Sequence, residues 1–261
     1  MIIDISWGSP YEFPQIAASL VKRNPAVIVG TCIPSTRAAK NVTTTIPVVM
    51  SVNGDPVEAG LVASLGHPGA NVTGTTTLFE ELIPKWIEII TTTVPGARTV
   101  AVMANPESVD DEYWWAQFQK AAERIRVNVV RAEVHTPDAL DSAFASMNKQ
   151  RAGAFVLMVD ASFLNEVQRI VTLANKYKLP GVYGFREYAE AGGLVSYGLS
   201  YRDYYRGVAR YVDKVLRGTK PAELPVEQPT KIELVINLAS AKSLGVTIPA
   251  QILARANKLI E

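Results

Sequence analysis

Short apolar runs alternate with longer amphipathic runs along most of the chain. IIDIS, AVIVGTC, IPVVMSV, NVTGTTT, TVAVMAN, VNVVRAEV, AFVLMVD, LPGVYGF and GLVSYG read as strands. FPQIAASLVKR, STRAAKN, IPKWIEIITTTV, EYWWAQFQKAAERI and LNEVQRIVTLANKYK read as helices; in the third of these Ile83, Trp86, Ile87 and Ile90 recur at helical spacing. A short helix and a Gly/Pro turn are expected between IPVVMSV and NVTGTTT. Strands that are apolar throughout, each followed by a helix, predict parallel sheets covered by helices on both faces. The series restarts at Arg98 after the turn PGA, which predicts two α/β lobes rather than one long sheet. The proline-rich stretch GTKPAELPVEQPTKIEL predicts an extended crossing between them. The expected division is residues 1–77 with 197–222 in the first lobe and 78–196 with 223–261 in the second.

In open parallel sheets ligands bind beyond the carboxyl ends of the strands. Thr31, Ser35 and Thr36 follow AVIVG, and Ser51 and Asn53 end IPVVMSVN. Thr75, Thr76 and Thr77 end NVTGTTT, while Asn105 and Glu107 follow TVAVMA. Asp160 follows AFVLMV, and Phe185 and Glu187 follow GVYG. Each polar residue alone is explained by capping or turn chemistry. Their recurrence at nearly every strand end predicts a binding cleft. In EYWWAQF, Trp115 and Phe118 stand at i, i+3 and are expected to pack inward, with Trp114 pointing elsewhere as a candidate ligand cover. Tyr201, Tyr204, Tyr205 and Tyr211 fall on an amphipathic helix with Val208, Val212 and Val215 buried, away from the cleft.

Composition narrows the function classes. The chain of 261 residues carries 26 basic and 25 acidic side chains, so nothing in its charge directs it to nucleic acid or a membrane surface. One cysteine, Cys32, forms no internal disulfide and no cysteine-based zinc site. No apolar run approaches the roughly 20 residues of a membrane span. Catalytic motifs are absent: no G-x-S-x-G elbow, phosphate loop or G-x-G-x-x-G. His67 lies in the turn GHPG and His135 at a strand exit, neither with a partner at metal-ligand spacing. Asp110, Asp111 and Glu112 precede a helix and complement its dipole. No catalytic residue, metal or cofactor is therefore expected.

Three segments carry a resemblance. IPVVMSVNGDPVEAGLVASLGHPGANVTG, YGFREYAEAGGLVSYG and LPVEQPTKIELVINLASAKSLGVTIP resemble the ABC transporter substrate-binding proteins that include tryptophan- and tyrosine-type uptake proteins. The likeness runs from Ile2 to Ile260. It implies the type I periplasmic-binding-protein fold, with a ligand closed between two α/β lobes and no chemistry done on it. It further implies capture outside the inner membrane, in the periplasm or at the membrane, and delivery to a permease with its ATPase subunits. Two departures stand out. Family members carry a signal peptide, a first strand and its helix before the segment matching IIDISW, so IIDIS and AVIVG are expected to flank an empty or borrowed position. That position favours a homo-oligomer through the incomplete first lobe. The family also tends to place Thr-Pro after AVIVG, where this chain has Ile33 before Pro34, so Thr31, Ser35 and Thr36 are all candidates.

Two other readings compete with the receptor: a small-molecule-sensing domain related to bacterial repressors, and an α/β enzyme with an unrecognised site. The receptor reading predicts an amino-acid-like or aromatic carboxylate ligand. The helix start at Pro34–Thr36, with Ser51 and Thr75, offers donors for a carboxylate. Asp160 is the first candidate acceptor for an ammonium and Glu187 the second, with Phe185 and Trp114 as apolar wall. The competing role for Asp160 is a cap for the segment beginning at Ala161.

Overall fold

The computed structural model describes residues 11–77, 79–108, 111–229 and 231–261. In chain order the elements are α1 (Phe13–Lys22), β1 (Ile28–Gly30), α2 (Ile33–Val42), β2 (Val48–Asn53) and β3 (Val72–Thr77). Next come α3 (Ile83–Thr93), β4 (Thr99–Ala104), α4 (Asp111–Ile125), β5 (Asn128–Glu133), α5 (Leu140–Lys149) and β6 (Ala154–Leu157). Then follow α6 (Val167–Lys176), β7 (Gly181–Phe185), α7 (Arg186–Glu190), β8 (Val195–Leu199) and α8 (Tyr201–Leu216). The chain ends with β9 (Glu233–Asn237), α9 (Leu238–Leu244), α10 (Ala250–Leu253) and β10 (Lys258–Ile260). The expected strand IIDIS lies outside the described residues, and with it the expected gap in the first sheet and the self-association argued from that gap.

The chain divides into two compact units, changing unit at 78/79, 201/202 and 230/231. The second and third changes fall later than the expected 196/197 and 222/223. Gly198 and Leu199 are still paired in the second unit's ladder, to Glu233 and Phe185. Residues beyond 222 stay with the first unit because Glu227 N–H donates to Gly74 O and Glu227 O accepts from Thr76 N–H, which adds a bridge beside β3.

In unit 1 the described strands pair in parallel in the order β1-β2-β3. Alternate residues of a strand face opposite sides, and both sides of β2 are covered. Val48, Met50 and Val52 pack with Ile28, Ala39, Leu61 and Val72 on one face. Val49 packs with Val208, Tyr211, Val215 and Leu224 on the other, under α8. The short helix expected after β2 is instead a run of hydrogen-bonded turns from Pro56 to Gly60. Asp55 Oδ1 accepts from the N–H groups of Val57 and Glu58 at 2.7 and 3.1 Å, which caps the first turn, and the run ends at Gly60 with φ +68°.

Unit 2 holds a sheet of order β10-β9-β8-β7-β6-β4-β5. All its pairs are parallel except β8–β9. That antiparallel pair corrects the expectation of a purely parallel sheet, and it has a topological cause: β9 re-enters beside β8 after a segment that belongs to unit 1. The core is aromatic. Trp86, Phe118, Phe144, Phe155 and Tyr183 are fully buried, and Trp86 stacks on Phe118 with centroids 6.3 Å apart. Burial of a large apolar side chain contributes roughly 1.5–3 kcal/mol.

Candidate functional site

The carboxyl ends of the unit 1 strands are polar, and most of their polar atoms are already bonded. Ser51 Oγ donates to Tyr204 Oη at 3.1 Å. Thr75 is the register partner of Ser51 on β3, so the two side chains share the face that α8 covers. Thr75 Oγ1 is buried and closes no hydrogen bond of normal geometry. Burial pushes the Tyr204 phenol up, and the nearby Ser51 and Thr75 hydroxyls partly offset that by stabilising the phenolate. Thr76 Oγ1 donates to Gly54 O at 2.5 Å, and Asn53 Oδ1 accepts from Thr77 Oγ1.

The start of α2 is similarly occupied. Pro34 has no N–H to offer. Ser35 N–H points at Cys32 Sγ while Cys32 N–H donates to Ser35 Oγ at 3.2 Å, a reciprocal cap. Thr36 N–H and Thr36 Oγ1 both donate to Cys32 O, at 3.0 and 2.8 Å. The anion site expected at Pro34–Thr36 is therefore largely filled by the helix's own loop. Thr31 is exposed, Ser35 and Asn53 are half-buried, and Thr36, Ser51, Thr75 and Thr76 are buried. Tyr204, expected to lie away from the strand ends, instead accepts from Ser51. The signal that finds it is the stripe Tyr204, Val208, Tyr211, Val215, spaced four, three and four apart, which puts Tyr204 on the covered face of α8.

Unit 2 has a different floor. Beyond β6 and β7, Leu157, Met158, Val159, Asp160, Leu164, Gly184, Phe185 and Tyr188 close around a recess too tight for a water molecule. Its walls are apolar and aromatic, with one carboxylate. Asp160 Oδ1 accepts from Ser162 N–H at 2.8 Å and from Ser162 Oγ at 2.5 Å. The capping role weighed for Asp160 is thus present, through one oxygen. Tyr188 Oη donates to Phe163 O at 2.8 Å, which holds the short turn after Asp160 against α7. Phe185 is 6% exposed and lies edge-on to Phe79 and to Tyr201. Glu187 accepts from Ser200 Oγ at 3.2 Å and Tyr201 N–H at 3.1 Å, so its carboxylate is engaged by the chain entering α8. Asn105 Oδ1 accepts from Glu107 N–H at 3.0 Å, an ordinary turn bond after β4.

The tryptophans of α4 exchange the roles expected of them. Trp114 is the buried one, on the face shared with Phe118, Ala121 and Ala122. Trp115 is half-buried, and the Arg131 guanidinium lies over its ring, 4.9 Å from the centroid. The same Arg131 meets the buried Asp111 at 3.0 Å and Glu112 at 2.8 Å. Burial raises the Asp111 carboxyl while Arg131 pulls it back, so these acids are held by an arginine as well as by the helix dipole. His67 is an exposed turn residue whose N–H donates to Ser64 Oγ at 3.0 Å. Among the described residues no group of three His, Cys, Asp or Glu side chains could hold a metal ion, and no helix is long and apolar enough to cross a membrane.

The sequence profile of the family described as ABC transporter substrate binding protein matches residues 3–260. A tyrosine-binding protein of Clostridioides difficile is 28% identical over 230 residues, which are 88% of this chain and 66% of that protein. A conserved domain protein from Vibrio cholerae superposes with a TM-score of 0.80 at 31% identity, over 97% of this chain and 84% of that one. An ABC domain from Streptococcus pneumoniae, solved in complex with L-Trp, superposes with a TM-score of 0.79 at 26% identity, over 97% of this chain and 87% of that one.

Proposed function

Because the chain belongs to the ABC transporter substrate-binding protein family, whose members bind substrates rather than transform them, we propose that it captures an amino acid with an aromatic or large aliphatic side chain. It acts outside the inner membrane and hands the ligand to an importer's permease and ATPase subunits. The observation that supports the ligand class is the chemistry of the unit 2 strand end, whose recess is closed as it stands and would have to open for a ligand. Apolar and aromatic walls surround a single carboxylate, Asp160, which spends Oδ1 on Ser162. In this reading Oδ2 accepts from the ligand ammonium while the side chain packs against Phe185 and the aliphatic wall. A relative that binds tyrosine and a structural neighbour holding L-Trp support the same class.

Asp160→Asn tests it. The amide oxygen keeps the cap on Ser162, and the charge is lost. Titration calorimetry with tryptophan, tyrosine, phenylalanine, leucine and indole-3-propionate, an acid without the amine, reads the result. The amino acids should lose about tenfold or more in affinity, roughly 1.4 kcal/mol, with the acid unaffected. Amino-acid affinities that stay within about threefold, less than ~1 kcal/mol, would remove Asp160 from the ammonium site. Binding of the acid alone by wild type would end the amino-acid reading.

A further inference from the structure

We propose that the corner Phe185–Arg186–Glu187 is a positioning element that ties the ligand recess to all three chain crossings, and that Glu187 acts on the crossings rather than on the ligand. The inference rests on the ligand reading above, because the recess is its starting point.

The chain changes unit at 78/79, 201/202 and 230/231. On the unit 2 side these crossings begin or end at Phe79, Tyr201 and Lys231, and each is held by one corner. The Phe79 ring lies edge-on to Phe185, with centroids 5.7 Å apart. The Tyr201 ring lies edge-on to the same Phe185 at 5.6 Å. Tyr201 N–H donates to Glu187 Oε2, and Ser200 Oγ donates to Glu187 Oε1. Lys231 Nζ meets Glu233 Oε1 at 2.7 Å, and Glu233 Oε2 accepts from Arg186 Nη1 at 3.1 Å.

Local geometry makes this convergence possible. β7 ends at Phe185 and α7 starts at Arg186 with no loop between, and β7 lies between β6 and β8 inside the sheet. Three consecutive side chains therefore leave one point in the middle of the strand ends. Phe185 is also a wall of the recess beside Asp160. A ligand side chain that opened this closed recess would pack on the ring whose other edges bear Phe79 and Tyr201. Lys231 first, then Arg186, holds the Glu233 carboxyl below its ordinary range, so that crossing is fastened by charge at neutral pH. Both oxygens of Glu187 already accept from the chain entering α8, Oε1 from Ser200 Oγ and Oε2 from Tyr201 N–H.

The test uses the full chain as wild type, Glu187→Gln, Glu187→Ala and Phe185→Leu. Segment-resolved hydrogen exchange is read on the free protein. Affinity and dissociation rate are read with L-tryptophan and with indole-3-propionate. Glu187→Ala should speed exchange at 199–203 and leave β4 and β6 protected, because only the crossing is released. It should weaken both probes by the same factor, about fivefold to tenfold, mainly through faster dissociation. Glu187→Gln should restore most of the loss, since its amide oxygen still accepts from Tyr201 N–H. Phe185→Leu keeps an apolar wall, and it should raise exchange at both 79–82 and 199–203. A loss confined to L-tryptophan would put Glu187 on the ammonium and overturn the proposal. So would a uniform rise in exchange throughout unit 2, which is what a merely stabilising residue gives. If wild type binds neither probe, the ligand reading and its coupling to the corner both fail. The exchange pattern of the free variants then still decides whether the corner holds the crossings.

Discussion

In unit 1 the middle described strand β2 ends in Ser51, Val52 and Asn53, and in unit 2 the interior strand β6 runs out into Met158, Val159 and Asp160. Both ends are where a ligand is expected in an open parallel sheet. Ser51 is covered by α8 and bonded to Tyr204, Asn53 to Thr77, Thr76 to Gly54, and the α2 start to Cys32. Beyond β6 the surroundings are apolar, and the one polar group, Asp160, has a single oxygen committed to Ser162. Unit 1 thus spends its strand-end polarity on holding its own helices. Unit 2 places a charge in an apolar recess where nothing but a short turn shares it. A polar strand end can serve a ligand only where its neighbours leave an atom unspent, and in unit 1 the buried Thr75 hydroxyl closes no hydrogen bond of normal geometry.

The largest effects expected from breaking this contrast come from two glycines at close backbone approaches, one per unit. Gly74 in β3 has φ +138°, and an added Cβ would stand 2.1 Å from Met50 O. In β8 a Cβ at Gly198 would stand 1.9 Å from Gly184 O, and Gly184 lines the recess. Neither backbone oxygen can move without breaking its sheet. Alanine at either position should cost about 3 kcal/mol or more, from strain plus overpacking. Gly74→Ala should strip exchange protection from β2 and β3 and spare β4 and β6. Gly198→Ala should do the reverse and abolish ligand binding. If either substitution lowers protection equally in both units, the units do not differ in the way described.

Much of this architecture is legible in the residues. VVMSV, TVAVMA, AFVL and VYGF are apolar on both faces because both faces are buried, and their flanking Gly, Pro and Asn mark the ends. What failed was phase and partnership. DPVEAGL has helical composition, but Asp55 caps a single turn, and Gly60 sits at positive φ after it. In EYWWAQFQKAAERI the inward stripe is set by Ala121 and Ala122, one turn beyond Phe118, and that stripe selects Trp114 over Trp115. The strand-end residues were identified by position alone. Position cannot say that Cys32 closes α2 on itself or that Tyr204 descends on Ser51, because both partners depend on packing. The antiparallel β9 was hidden for a topological reason: its direction is set by the detour through unit 1, not by its own residues.

A medium effect is expected at alkaline pH in unit 1. Tyr211 lies in the α8 face against β2, its hydroxyl donates to Pro225 O, and burial, helped by Glu227, pushes the phenol up to about 12. A tyrosine whose folded pKa lies above its unfolded value favours the folded state while neutral. That contribution is complete below about pH 10 and is lost as pH rises from there to about 12. Tyr211→Phe should lower stability at pH 8 through the lost hydrogen bond, yet flatten the fall above pH 10. The slope removed can reach one proton, about 1.4 kcal/mol per pH unit. Denaturant melts at pH 8, 10 and 11 would show it, and an unchanged slope would exclude Tyr211 as the titrating group.

The smallest effects separate the two hydroxyls of unit 1 that share a face. Tyr204→Phe removes the acceptor of Ser51 Oγ, a bond that fixes the first turn of α8 on the sheet. One ordinary hydrogen bond should be lost, about 1 kcal/mol of stability, with ligand affinity little changed. Thr75→Val is nearly isosteric and removes a buried hydroxyl that closes no hydrogen bond of normal geometry. Deleting an unsatisfied polar group should leave stability unchanged or slightly higher. If Thr75 Oγ1 is the ligand's carboxylate donor, the same substitution should weaken both an amino acid and its deaminated acid, by roughly tenfold for a charge-assisted bond. The pair of variants thus dissociates stability from binding: one moves the melt and not the titration, the other the titration and not the melt. Thr75→Val that leaves both unchanged would remove Thr75 as the carboxylate donor. The carboxylate would then have to be sought at the exposed Thr31 or the half-buried Ser35 instead.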